Sequence, residues 1–145
     1  MNEKVELEKI LNLEYRIYSP ILKKSGINIT KEQRQEALKK PQSILTHYVN
    51  NKLIGIFRFS QEQEKAFILS LLYDSKETTL PKIFIKEIIL NLKNKNIKIL
   101  ESVVQRSNLK SLKFHQKLGF NISKEYPKAI RFQMNFNEIL KKFER

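Results

Sequence analysis

The residues best placed to do chemistry lie between Val104 and Phe120, in the string VQRSNLKSLKFHQKLGF. It joins the end of an apolar, β-rich run to Asn108, a residue type that opens helices. Ser111, a small residue, stands three positions on, and a Leu-Gly-Phe terminus closes the string. His115 lies inside it, and an imidazole titrates near neutral pH, where it can hand on a proton. Positive charge gathers around the same region. Residues 76–117 hold ten Lys or Arg against three acids, a net +7 out of +13 for the chain. Such a charge suits a polyanionic partner: nucleic acid, a nucleotide cofactor or an anionic membrane surface. The chain is also rich in Lys, Asn and Ile together, a compositional bias, so the distribution of charge says more than its total.

Other chemistries are excluded or disfavoured. With no Cys there is no disulfide framework, no Cys-ligated zinc and no thiol catalysis. Two histidines, His47 and His115, argue against a His-based metal site, so no metal is expected. The longest apolar run, Ala66–Tyr73, is interrupted by Ser70 and is far too short to span a bilayer. The first residues, MNEKVELEK, carry acids and no apolar signal core. A cytoplasmic protein with no membrane association is expected, as monomer or homodimer. The chain has only three glycines. A Gly-rich phosphate loop is therefore not available.

The elements that must position this string can be read coarsely. One domain is expected over residues 1–145, with a helical part at 1–42 and a sheet core at 43–136. Residues 3–18 place Leu7, Ile10, Leu11, Ile17 and Tyr18 on one helical face, which Glu14 interrupts, and Pro20 is expected to stop the helix. Thr30 and Gln33 make a capping box for a helix at 31–40. Residues 43–49 and 52–60 flank Asn50-Asn51, a tight hairpin turn. KAFILSLLY, 65–73, reads as a buried strand. A helix over 80–95 has Pro81 in its first turn. A strand over 97–104 and a helix over 108–118, capped by Gly119, follow. Residues 129–136 alternate as a half-exposed strand, and the tail reads as a frayed helical turn. The implied class is α/β (α+β), a mixed, mainly antiparallel sheet with helices on both faces.

With Val104, Asn108, Ser111, His115, Gly119 and Phe120 in these positions, the string resembles the motif of the GNAT superfamily of N-acyltransferases. That motif runs Val-x-x-x-Asn-x-x-Ala/Ser-x-x-x-Tyr/His-x-x-x-Gly-Phe, and the element order over residues 43–136 fits the same family. The resemblance implies a cleft between strands 65–73 and 97–104, which run parallel and splay apart to admit the pantetheine of acetyl-CoA. The backbone of Leu71, Leu72 and Tyr73 would pair with the pantetheine amides. Asn108 and Ser111 would hold the opposite lip. The pyrophosphate would lie on the following helix N-terminus, with Lys76, Thr78, Thr79 and Leu80 in the loop and Lys110, Lys113 or Lys117 supplying charge. The family loop usually carries glycines. The corresponding stretch here, Lys76 to Pro81, has none.

The resemblance also implies direct attack of an amine on a thioester, which needs a base for the ammonium proton and an acid for the thiolate. His115 stands in the slot commonly held by the acid, Tyr. The slot that often holds a Glu base is Val103, so Glu101, two residues earlier on the same strand face, is the candidate. Ser70 is the polar interior residue of its strand and is suited to ordering a water. The acceptor pocket is expected from residues 1–40 and the 50–51 and 121–130 turns, with Glu14, Tyr15, Tyr18 and Tyr126 as possible liners. Tyr15 and Tyr18 are expected as core or interface residues. The function implied is acetyl transfer to a primary amine of a small molecule, an amino-sugar or a protein. The alternatives are a GNAT-fold binding or regulatory protein without catalysis, and an acetyltransferase directed at tRNA, nucleic acid being possible but not favoured.

Overall fold

The computed structural model describes residues 3–74 and 80–143. Two helices come first, α1 (Glu3–Lys24) and α2 (Lys31–Leu38). Then follow β1 (Ser43–Val49), β2 (Lys52–Glu62), β3 (Lys65–Tyr73), α3 (Lys82–Asn94) and β4 (Ile99–Gln105). The chain closes with α4 (Leu109–Leu118), β5 (Asn121–Glu125), β6 (Ala129–Asn135) and α5 (Phe136–Phe143). The six strands form one sheet in the order β1-β2-β3-β4-β6-β5. Only the β3–β4 pair is parallel; the other four are antiparallel. This is the mixed, mainly antiparallel sheet read from the sequence.

Helices cover both faces. Phe84 and Leu92 of α3, Leu112 and Leu118 of α4 and Ile139 of α5 pack with Phe57, Phe59 and Phe132 of the sheet. Ile10, Leu11 and Leu13 of α1 and Leu38 of α2 pack with Leu53, Ile56 and Leu72 on the other face. The alternation of strand side chains divides the apolar residues between these two cores.

Turns are made almost without glycine. Asn50 and Asn51 take φ of 50° and 64°, as the β1–β2 hairpin requires, while Gln63 and Asn96 take 54° and 58° at other corners. Gly119 has φ 87° at the end of α4, the expected left-handed cap. Gly55 is needed for a different reason. A Cβ there would lie 3.0 Å from the Phe84 ring and 3.2 Å from the His47 Cβ, so its absence lets α3 seat beside the sheet.

Three sequence expectations are corrected. Pro20 does not stop the first helix, which runs on to Lys24 with Pro20 inside it. The proline is exposed, so the carbonyl it leaves unbonded one turn back faces solvent, and tertiary bonds hold the extra turn. Ser107 Oγ donates to the Ile21 carbonyl at 2.8 Å and lies 2.9 Å from Ser25 Oγ. The tail is not a frayed turn. It forms α5, which buries Phe136 and Ile139. Pro81 is the N-cap of α3 rather than a residue of its first turn.

Glu14, which breaks the apolar face of α1, is fully buried and grips Arg58 of β2 with both oxygens, at 2.8 and 3.0 Å. Arg58 also donates to Gln42 Oε1 at 2.5 Å. Removing one partner strands a buried charge. Glu14→Ala should therefore cost about 3–5 kcal/mol of unfolding free energy in urea titrations. Joint replacement of Glu14 by Leu and Arg58 by Met should restore much of that loss.

Candidate active site

The parallel pair β3–β4 runs only from Lys65↔Ile99 to Ile68↔Ser102. Beyond that point β3 carries a bulge. Arg58 of β2 faces Ser70 and Phe59 faces Ile68, leaving Leu69 unpaired and 42% exposed. A bulge bends its strand. The outer half of β3 stays with β2 and the outer half of β4 stays with β6, so a cleft opens between them. Backbone groups on its walls then lack a ladder partner. The Leu71 N–H instead donates to the Tyr18 hydroxyl oxygen at 3.2 Å, and the Tyr73 carbonyl lies 3.5 Å from Lys110 Nζ.

The cleft has two connected chambers. The smaller, of about 120 Å³, is mostly apolar and is walled by Ile17, Ile21, Leu71, Leu72, Tyr73, Leu80 and Phe114, with Lys110 at its margin. The larger, of about 260 Å³, is more polar and is walled by Ile29, Arg34, Ser70, Ser102, Gln105 and His115. Tyr18, Asn108 and Ser111 line both. Asn108 caps α4, its Oδ1 accepting from the Ser111 N–H at 3.2 Å. Its amide NH2 thus remains as a donor toward the cleft.

Tyr18 crosses the floor of the cleft. Its hydroxyl is 3.1 Å from Ser70 Oγ as well as taking the Leu71 N–H, and burial pushes its pKa up to about 12. The Arg34 guanidinium lies over its ring, 5.2 Å from the centroid. Burial lowers the Arg34 pKa, an effect that the nearby Glu14 charge opposes.

His115 is buried, stacked on Phe132 at 4.7 Å and packed against Phe120 and Phe114. Its Nδ1 lies 2.7 Å from the Ser111 carbonyl, which can only accept, so Nδ1 carries the proton. Nε2 is then a lone pair, buried and without a partner. Burial also lowers the imidazole pKa, only partly offset by the Ser111 carbonyl.

The structure brings Ser70, Leu71, Leu72, Tyr73, Leu80, Asn108, Ser111 and His115 together at one cleft. Lys76, Thr78 and Thr79 lie outside the described residues. Glu101 is not part of the cleft wall. It is buried on the opposite side of β4 from Ser102, with Arg131 at 2.6 Å, Lys65 at 3.0 Å and Gln133 at 3.3 Å. The Arg131 hydrogen bond, more than its burial, holds its carboxyl below the usual range. Lys117 is exposed in the last turn of α4, away from the cleft, while Lys110 in the first turn reaches it. Tyr18 lines the cleft rather than serving only as core, and Tyr15 is 38% exposed. Tyr126 and the 50–51 turn do not line it, and Glu14 is committed to Arg58. Arg34 and Ile29 had no signal in the sequence beyond their position in the N-terminal part.

A parallel strand pair parts here, with backbone groups on one lip that side chains rather than a neighbouring strand meet and a capped helix start on the other. The chain matches the profile of the Acetyltransferase (GNAT) domain over residues 5–139 and belongs to the GNAT acetyltransferase family. The fold is shared with the PaiA N-acetyltransferase of Thermoplasma acidophilum in complex with coenzyme A, at 18% identity and TM-score 0.70, covering 90% of this chain and 92% of that one. It is shared with the ribosomal-protein alanine N-acetyltransferase of Escherichia coli at 16% identity and TM-score 0.71, covering 93% and 90%. An aminoglycoside 6'-acetyltransferase type Ii is similar at 12% identity and TM-score 0.71, covering 93% and 92%. No curated protein sequence matches the chain. No helix among the described residues is long and apolar enough to cross a membrane.

The depressed pKa of His115 has a consequence for stability. Below about pH 6.5 the unfolded chain protonates this imidazole while the folded chain does not. Stability therefore falls as pH drops from about 6.5 toward the folded-state value, by up to ~1.4 kcal/mol per unit. Urea unfolding at about pH 7 and about pH 5.5 should show a smaller loss for His115→Phe than for the wild type. Equal losses would mean that folding does not lower the His115 pKa.

Proposed function

We propose that the protein is an N-acetyltransferase that uses acetyl-CoA as acyl donor and transfers acetyl to a primary amine. The observation that carries this reading is the parting of β3 and β4 beyond Ile68 and Ser102, with Leu71 N–H and the Tyr73 carbonyl on the opened edge. A pantetheine amide would donate to the Tyr73 carbonyl as a neighbouring strand would. The Asn108 amide would reach the same chain from the opposite lip. Lys110 would meet the phosphates at the outer end. Residues 1–42 supply the acceptor side through Tyr18, Ile29 and Arg34.

The thioester supplies an activated acyl carbon. The Leu71 N–H, once released by the Tyr18 oxygen, would polarise the acyl carbonyl. Tyr18 keeps its proton to about pH 12, so it is a hydrogen-bond donor throughout the working range. A C–N bond forms and the C–S bond breaks. One ammonium proton leaves to water that Ser70 is suited to order, a second leaves the nitrogen as the amide forms, and the sulfur gains a proton from the Tyr18 hydroxyl, which recovers one from that nitrogen by way of water. No Asp or Glu among the described residues lines either chamber, which favours loss of the ammonium proton through water. His115 presents a lone pair, so it suits holding the α4 wall better than giving a proton to a thiolate.

Isothermal titration with acetyl-CoA tests the donor, and lack of binding at millimolar cofactor removes the reading. Lys110→Ala should weaken binding several-fold more than Lys117→Ala. Tyr18→Phe should lower kcat by about 100-fold or more while acetyl-CoA still binds. His115→Asn should cost less. The reverse order would make His115 the acid.

A further inference from the structure

The polar chamber contains a cation that no carboxylate among the described residues pairs with. Arg34 of α2 lines it, its guanidinium held over the Tyr18 ring. Its Nε is buried and lacks a hydrogen-bond partner, and no carboxylate pairs with it among the described residues. Glu14, the acid whose charge it feels, has both oxygens taken by Arg58. No Asp or Glu is among the described residues that line the chamber, so the lining offers Arg34 no compensating charge. A buried donor without an acceptor is costly, and an arginine fork is the side chain best matched to a planar two-oxygen anion. The missing partner is therefore something that arrives with a ligand. The chamber's other described lining residues include no Lys or Arg and offer hydroxyl and amide groups from Ser70, Ser102, Gln105, Asn108 and Ser111, so its one cation matches the single charge of a carboxylate better than the two charges of a phosphate.

The spacing fixes where that anion sits relative to the chemistry. One tyrosine side chain bridges the two points: Tyr18 meets the Leu71 N–H at its hydroxyl and Arg34 over its ring. Resting on the acetyltransferase reading above, we propose that the acceptor is a small aminocarboxylate, its amine directed at the Leu71 end and its carboxylate paired with Arg34. The amine nitrogen bonds to the acyl carbon and the thiol of CoA departs with a proton. One proton from the ammonium is released to solvent, and the product is an N-acetylated acid. The same arrangement rejects polycationic amines. Their extra ammonium groups would find Arg34 and, among the described lining residues, no acid.

The test separates this inference from the reading it rests on. Acetyl-CoA binding is measured first by calorimetry; its absence overturns both. With binding established, the twenty α-amino acids, β-alanine and their carboxamides are assayed as acceptors. In parallel the Arg34 Nε–H resonance, assigned by its loss in Arg34→Lys, is followed by 15N NMR in the presence of CoA. At least one acid should shift that resonance saturably, its carboxamide should not, and kcat/KM should favour the acid by about 10- to 100-fold. Arg34→Gln should raise KM for the acid by a similar factor with little change in kcat, and acetyl-CoA affinity should stay at the wild-type value. Absence of any saturable shift with all the acids overturns the proposal, as does a neutral or polycationic amine turning over as well as every acid.

Discussion

The structure depends on one constraint: a parallel strand pair that cannot run its full length. Four residues of β3 and β4 pair, then the extra residue at Leu69 turns β3 toward β2 alone. Parting two strands inside a sheet exposes N–H and C=O groups that must be satisfied by something. Here a phenol takes the Leu71 N–H and a lysine approaches the Tyr73 carbonyl. The other elements follow from that opening. α1 must run past Pro20 to wall it with Ile21, and α4 must begin at Asn108 to close the other lip.

Polar interactions set the position of α1 across the opening. Its middle is tied to β2 by Glu14 and Arg58, and its C-terminal turn to the start of α4 by Ser25, Ile21 and Ser107. Near its N-terminal end Glu6 accepts from the Tyr48 hydroxyl of β1. A buried ion pair contributes little net stability against an apolar pair of the same shape. It does have directional geometry, which an apolar contact lacks. The α1 helix is fixed in rotation, and that rotation aims Tyr18 at Leu71 rather than into the apolar core beside it.

What could be read from the sequence was local. The capping box at Thr30 and Gln33, the Asn50-Asn51 turn, the strand 65–73 and the Asn108 and Gly119 caps of α4 all rest on residues within a few positions of each other. What escaped was long-range. Pro20 alone argues for a helix end, and the bonds that override it come from Ser107, more than eighty residues away. Arg34 in KEQRQEAL looks like any solvated helix residue; the packing of α2 over Tyr18 makes it a cleft residue. Lys110 and Lys117 share a helix face, but seven residues place them ~10 Å apart along the axis, and no local pattern says which end meets the cleft. Glu101 illustrates the limit of strand alternation. Alternation assigns its face correctly, but Lys65 and Arg131 come from other strands and turn a candidate base into a paired structural carboxylate.

Burial acts on the two proton-carrying groups of the cleft in opposite senses and leaves both uncharged. It raises Tyr18, which therefore stays a phenol, and lowers His115, which therefore stays an imidazole. The hydrogen bond to Ser111 further decides that the imidazole offers only a lone pair, and that lone pair lies inside a stack of phenylalanines. In the motif slot where a tyrosine is common, this chain has a buried ring at the wall of the polar chamber, its Nδ1 committed to the Ser111 carbonyl. Two phenols line the cleft, Tyr73 from β3 and Tyr18 from α1 on the opposite wall. With Tyr18 and His115 neutral and Glu14 spent on Arg58, the charge of the polar chamber is the cation of Arg34, while Lys110 stands at the margin of the apolar one.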